Sequence, residues 1–201
     1  TRLIFPLVNL KQFQPTHTPD GPLKVLFASS PDSTDLLAAR GIPLLLSAAE
    51  RLPNVTFRLL WRPWGNSYES VAEEVRRREL LNVELPRARV TDMAVEYQNA
   101  HVTIAPFTDM LKCKPVPNSL IESLACGRPV ILTNLIGVAN LIEEERCGVV
   151  CQPTVDGICD AIERVSSNSK NFKFAARAAT EKWFSEETFI QKYRSLYSEL
   201  L

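Results

Sequence analysis

A chain of 201 residues is long enough for one well-buried domain and short for two. Hydrophobic residues make up 45% and charged residues 23%, a balance that excludes a disordered chain. With 23 basic side chains against 23 acidic ones, bulk charge selects no nucleic-acid partner.

The opening stretch TRLIFPLVNLKQFQP reads as a strand and linker cut from something longer. LKVLFAS (Leu23 to Ser29) is then a short apolar run, followed by the polar loop SPDSTDLLAARG and by IPLLLSAAERL, whose apolar positions recur at helical spacing. The unit repeats. VTFRLLW (Val55 to Trp61) precedes a helix through Val71 to Arg78, NVEL precedes a helix around Asp92 to Asn99, and HVTIAP leads into a Pro-rich loop. A helix from Ser119, the strand PVILTN, a short helix from Val138 to Glu144, the strand GVVCQP and a helix from Val155 to Val165 complete the series. Two further helical segments, FKFAARAATEKW and SEETFIQKYRSLYSELL, close the chain. Continuous apolar strands alternating with helices predict a doubly wound, Rossmann-like α/β fold, a parallel sheet of about six strands with helices on both faces. Ligands of such sheets bind beyond the carboxyl ends of the strands, where strand order reverses.

Five cysteines, Cys113, Cys126, Cys147, Cys151 and Cys159, form an odd set without a C-x-x-C pair and read as free thiols in a reducing compartment. No apolar run approaches the roughly 18 residues of a membrane span, and the first residues lack the regions of a signal peptide, so a cytoplasmic location is expected.

Several residues are candidates for chemistry, each with a plainer reading beside it. Ser119-Leu120-Ile121-Glu122 fits a capping box in which Glu122 reaches back to the cap N–H. The same helix start, with unpaired donors and a positive dipole end, also suits a phosphate, over which Glu122 would accept hydrogen bonds from ribose hydroxyls. Arg40, before Gly41, is either a grip for a diphosphate or a solvated arginine, and Lys112 and Lys114 share that ambiguity. Gly127 reads as a left-handed helix end and Gly137 as a turn glycine. Trp61 and Trp64 either wall a nucleoside or cover the edge of the core, and the run RRRE (Arg76 to Glu79) is a solvated helix end. His17 and His101 read as surface or satisfied histidines. Without H-E-x-x-H or clustered carboxylates no metal site is expected, and without G-x-G-x-x-G no dinucleotide cofactor.

Nearly the whole chain resembles the C-terminal, donor-binding domain of the group 1 (GT-B fold) glycosyltransferases. PNSLIESLACGRPVILTNLIGVANLIEEERCGVVCQP is similar to the central signature of that family, KVLFASS through FRLL to its first strand, helix and second strand, and FSEETFIQKYRSLYSELL to its closing helix. The resemblance implies an interdomain linker with a leading strand over residues 1–22, a nucleotide-sugar-binding domain over 23–184, and a final helix over 185–201 packing toward a missing N-terminal, acceptor-binding domain. It implies that Glu122 holds the donor ribose, that the turn of Pro117, Asn118, Ser119 and Leu120 binds the diphosphate, that Arg40 grips phosphate, and that main chain near Pro86 and Arg87 holds the base. The implied reaction is retaining sugar transfer from a nucleotide-diphosphate sugar, with no cofactor, no metal and no nominated catalytic residue. The chain alone would be inactive, and peripheral membrane association through the missing half is left open.

The chain departs from the family pattern in three places. Lys114 stands eight residues before Glu122, where the family has a first glutamate; Ser29-Ser30 replaces a Gly-Arg pair; and Pro115, Val116 and Pro117 replace a glycine-bearing turn. By charge count Lys114 restores the cation lost at Ser30. These changes leave open two other functions: a non-catalytic domain of the same fold used for nucleotide sensing or partner assembly, and a sugar-nucleotide epimerase.

Overall fold

The computed structural model describes residues 3–62 and 65–199. Six strands form one parallel sheet in the order β3-β2-β1-β4-β5-β6: β1 (Lys24–Phe27), β2 (Thr56–Leu59), β3 (Val83–Glu84), β4 (Val102–Ala105), β5 (Val130–Thr133) and β6 (Gly148–Cys151). All four residues of β4 and of β5 are buried, so both faces of the sheet are covered, as continuous apolar strands require. Strand order reverses between β1 and β4, and the loops leaving those two strands flank the crevice expected to bind ligand.

The helices are α1 (Asp35–Ala39), α2 (Ile42–Arg51), α3 (Ser67–Arg77), α4 (Met93–Gln98), α5 (Asn118–Ala125), α6 (Ala139–Glu144), α7 (Val155–Phe184) and α8 (Glu186–Ser198). The two segments read as separate helices, one from Val155 and one from Phe172, lie within α7 as two helices that meet at a kink, with non-helical geometry at Asn168. The cause lies in the polar run around the break. Ser167 Oγ donates to the Glu163 carbonyl and Asn168 Nδ2 to that of Arg164, local bonds that compete with the helix ladder and bend it. The break lets α7 meet α2 through Arg51 and Asp156 and then α5, where Arg177 Nη1 donates to the Ala125 carbonyl at 3.0 Å.

The leading strand expected within residues 1–22 is not formed: described residues 3–22 run as irregular chain. Their apolar side chains instead anchor one at a time. Phe5 packs on Phe184 and Trp183, Phe13 meets Tyr97, and the Val8 amide donates to the Phe184 carbonyl at the end of α7. Neither sheet edge takes up this segment, and side chains satisfy some of its backbone carbonyls. Arg128, 1% exposed, donates through Nη2 to Thr16 Oγ1 (2.8 Å), the His17 carbonyl (2.6 Å) and the Gln98 carbonyl (2.8 Å). His101 accepts from the Lys24 amide at Nδ1 and faces the Pro19 carbonyl with Nε2, which fixes a neutral tautomer with its proton on Nε2. Burial lowers its pKa from the ordinary value. Segment 12–23 is thus strapped to the base of the domain.

All five cysteines are free, Cys126 and Cys147 being fully buried. Among the described residues no helix is long and apolar enough to cross a membrane.

Candidate functional site

The crevice is built around the loop that leaves β4. Gly41, in the left-handed region at φ 73°, turns the chain from α1 into α2. A side chain there would place its Cβ 2.0 Å from the Pro106 carbonyl oxygen, so only glycine lets the α1–α2 junction lie on this loop. The contact is reinforced by Thr108, whose amide donates to the Ala39 carbonyl (2.9 Å) and whose hydroxyl donates to that of Ala38 (2.8 Å). Arg40, held at this junction, lays its guanidinium over the Phe107 ring, 4.9 Å from the centroid. Its Nε is buried and has no acceptor, and among the described residues no carboxylate pairs with it.

The same loop carries the other cation. Lys114 is exposed and without an ion-pair partner among the described residues, and with Phe107, Met110, Cys113, Pro115 and Ile136 it lines a crevice of ≈ 30 Å³. Burial pushes the Cys113 thiol above its ordinary range against the pull of Arg40. Gly137, after β5, lies close to the Pro-rich loop rather than in a left-handed turn: its φ is not left-handed, and an added Cβ would lie 3.0 Å from Pro115 Cβ, a tight contact.

The loop ends at α5, whose first turn opens on Pro117 with no side-chain cap. The capping box is therefore absent. The Leu120 amide already donates to the Pro117 carbonyl (3.1 Å), which removes it as a free donor and leaves the amides of Asn118 and Ser119 without partners among the described residues. The far end of α5 is as expected: Gly127 at φ 68° donates to the Leu124 carbonyl and the Arg128 amide to that of Ser123, a complete left-handed helix stop.

Glu122, one turn into α5, is half-buried and accepts a hydrogen bond of 2.7 Å from the Tyr97 hydroxyl at Oε2. Burial raises its pKa, and the Tyr97 donor opposes that rise. Nothing in the spacing of α4 or α5 links two residues 25 positions apart, so this pairing was invisible in the sequence. Phe107 was not singled out either, although an aromatic residue directly after the apolar strand HVTIAP was a signal that could have found it.

Pro86 lines a cavity of ≈ 250 Å³ with Arg58, Arg89, Thr91, Asp92 and Glu96. The Arg87 side chain stacks over Tyr68 at 4.8 Å and pairs with Glu69 at 2.5 Å, while the base contact expected here is one of main chain. Arg58 is not free for an anion, since it makes a two-pronged contact with Glu96 (2.7 and 2.9 Å) and a third bond with Glu84 (3.0 Å). Trp61 is 1% exposed and belongs to the core edge, while Trp64 lies outside the described residues. Among the described residues no group of His, Cys, Asp and Glu could hold a metal ion.

Residues 25–168 match the family described as Glycosyl transferases group 1. The sequence has no significant match among curated proteins. Among solved structures, a sucrose-phosphate synthase of Thermosynechococcus elongatus superposes with a TM-score of 0.83 at 22% identity, over 99% of this chain and 52% of its own. The Anabaena protein HepE, solved in complex with UDP and glucose, gives 0.76 at 16% identity, over 98% of this chain and 56% of its own. The C-terminal domain of a group 1 glycosyl transferase (LpcC) of Francisella tularensis gives 0.69 at 15% identity, over 89% of this chain and 99% of its own. The chain thus spans about half the length of the first two and nearly all of the third.

Proposed function

Because this chain belongs to the group 1 glycosyl transferases, we propose that it is the half of such an enzyme that binds a nucleotide-diphosphate sugar, whose sugar is passed to an acceptor with retention. Arg40 carries the proposal. A buried guanidinium nitrogen without an acceptor is costly, and a stacked arginine without a carboxylate partner, at the point where strand order reverses, is completed by a diphosphate. The free amides of Asn118 and Ser119 and the unpaired Lys114 lie along the same loop and add donors of the right sign. Main chain near Pro86 and Arg87, beside the ≈ 250 Å³ cavity that Pro86 lines, is the candidate to hold the base, and Glu122 the candidate to hold the ribose. The UDP complex of the similarly folded Anabaena protein agrees with a donor of this class.

The chemistry asked of this half is electrostatic. Charge builds on the departing diphosphate as the bond to the sugar lengthens, and donors already fixed by Phe107, Thr108 and Gly41 need no reorganisation to meet it. The acceptor and any base acting on it would come from a further domain.

Substitution of Arg40 separates this reading from a solvated arginine. Arg40→Ala is expected to weaken nucleoside diphosphates by about 1.5–3 kcal/mol, the worth of a charged hydrogen bond, and to leave the matching nucleosides unaffected. Equal effects on both ligands, read by calorimetry, would return Arg40 to a packing role.

A further inference from the structure

We infer that the cavity beside the loop leaving β3 selects guanine, so that the donor is a guanosine-diphosphate sugar: Asp92 accepts from the N1–H and N2 amine of the base, and Arg89 donates to its O6 and N7. The inference rests on the donor-binding reading above and deepens it, from a nucleotide to one base.

The cavity holds ≈ 250 Å³, less than the roughly 300–1,000 Å³ that encloses a drug-sized ligand, and so suits one ring system rather than a whole nucleotide. Its apolar wall is Pro86, Val90 and Val95, and no aromatic side chain lines it, so bases are told apart here by their polar edges and not by stacking. Of the charged side chains in the lining, Arg58 is engaged with Glu96 through Nε and Nη2 and with Glu84 through Nη1. Arg89 and Asp92 are available. Arg89 is exposed and has no ion-pair partner among the described residues. Asp92, also exposed, caps α4 by accepting from the Ala94 amide at Oδ1 (2.9 Å), which leaves Oδ2 and the second lone pair of Oδ1 for a ligand.

One carboxylate and one guanidinium sort the bases by the order of donors and acceptors along their edges. A carboxylate only accepts and a guanidinium only donates. Guanine sets N1–H and the N2 amine side by side, two donors for two carboxylate oxygens, and its O6 and N7 are the acceptor pair that an arginine grips with both prongs. Uracil has a single edge donor, N3–H, between two carbonyls that repel a carboxylate. Adenine turns an N1 lone pair toward the carboxylate beside its one amine, and that amine stands where the arginine needs an acceptor. Guanine alone satisfies both side chains.

Calorimetry with GDP, IDP, UDP and ADP on the chain, on Asp92→Asn and on Arg89→Ala tests the assignment. IDP keeps O6, N7 and N1–H and lacks only the N2 amine. The unsubstituted chain is expected to bind GDP at least about tenfold more tightly than UDP or ADP, and IDP several-fold more weakly than GDP. Asparagine caps a helix about as well as aspartate, so Asp92→Asn should keep the melting temperature while bringing GDP and IDP to within about twofold of each other. Arg89→Ala should weaken GDP and IDP by a similar factor, about fivefold or more, and leave UDP within about twofold. UDP or ADP bound by the unsubstituted chain as tightly as GDP overturns guanine selection, whether or not the variants fold, and leaves the donor-binding reading standing. A preference for GDP over IDP that survives in Asp92→Asn overturns the role of Asp92, and unaltered GDP binding in Arg89→Ala overturns that of Arg89. No saturable binding of any of the four overturns the donor-binding reading itself, and the choice of base with it.

Discussion

At Gly41 the backbone settles both stability and the placing of the site's arginine. A left-handed φ of 73° disfavours any side chain, and the Pro106 carbonyl oxygen 2.0 Å from an added Cβ is backbone that cannot rotate aside. Gly41→Ala is therefore expected to destabilise the chain by about 2–4 kcal/mol, through strain and a forced shift of the loop. Denaturant unfolding measures it, and a loss below about 0.5 kcal/mol, the range of an ordinary surface change, would contradict the close approach. Arg40 before Gly41 was readable as a pair in the sequence, but its perch on Phe107 was not, because stacking depends on how the α1–α2 junction meets the β4 loop. Glu122 shows the same limit from the other side. Its spacing from Ser119 fits a capping box, yet a buried tyrosine from another helix supplies a shorter route to satisfying the carboxylate than the exposed cap does.

At the scale of elements, the chain's punctuation was legible and its cross-links were not. Gly127 ends α5 in the left-handed conformation that a glycine before Arg-Pro suggests, and the strands fall on the continuous apolar runs. Arg128, beside that glycine, was not singled out in the sequence, yet its guanidinium ties segment 12–23 to α4 through Thr16, His17 and Gln98. Among the described residues its charge is held by carbonyl and hydroxyl oxygens with no carboxylate, and burial lowers its pKa. Arg128→Met keeps apolar volume but abandons three polar partners, and is expected to cost about 3 kcal/mol. Native-state hydrogen exchange should show the loss first as faster exchange at the amide of Lys24, which His101 accepts beside the strap. Uniform exchange changes with an undisturbed Lys24 amide would mean that the strap is held by Phe5, Val8 and Phe13 instead.

The whole molecule follows from alternation. Parallel strands joined by helices must be covered on both faces, and this rule alone, applied to six apolar runs, leads to the doubly wound sheet and its switch point between β1 and β4. The segment before β1 escaped the rule: its apolar residues suggested a strand, but they became separate anchors against α4 and α7. The crevice at the switch point holds two cations without carboxylate partners among the described residues, Arg40 and Lys114, and a helix start with two free amides. Such an arrangement is complete only with an anion. Titration of the chain with UDP, GDP and ADP by calorimetry tests this most directly. Saturable binding of at least one of them, lost on passing to the corresponding nucleoside, is the predicted result; no saturable binding of any at millimolar concentration would contradict a donor site and leave a non-catalytic domain of the same fold.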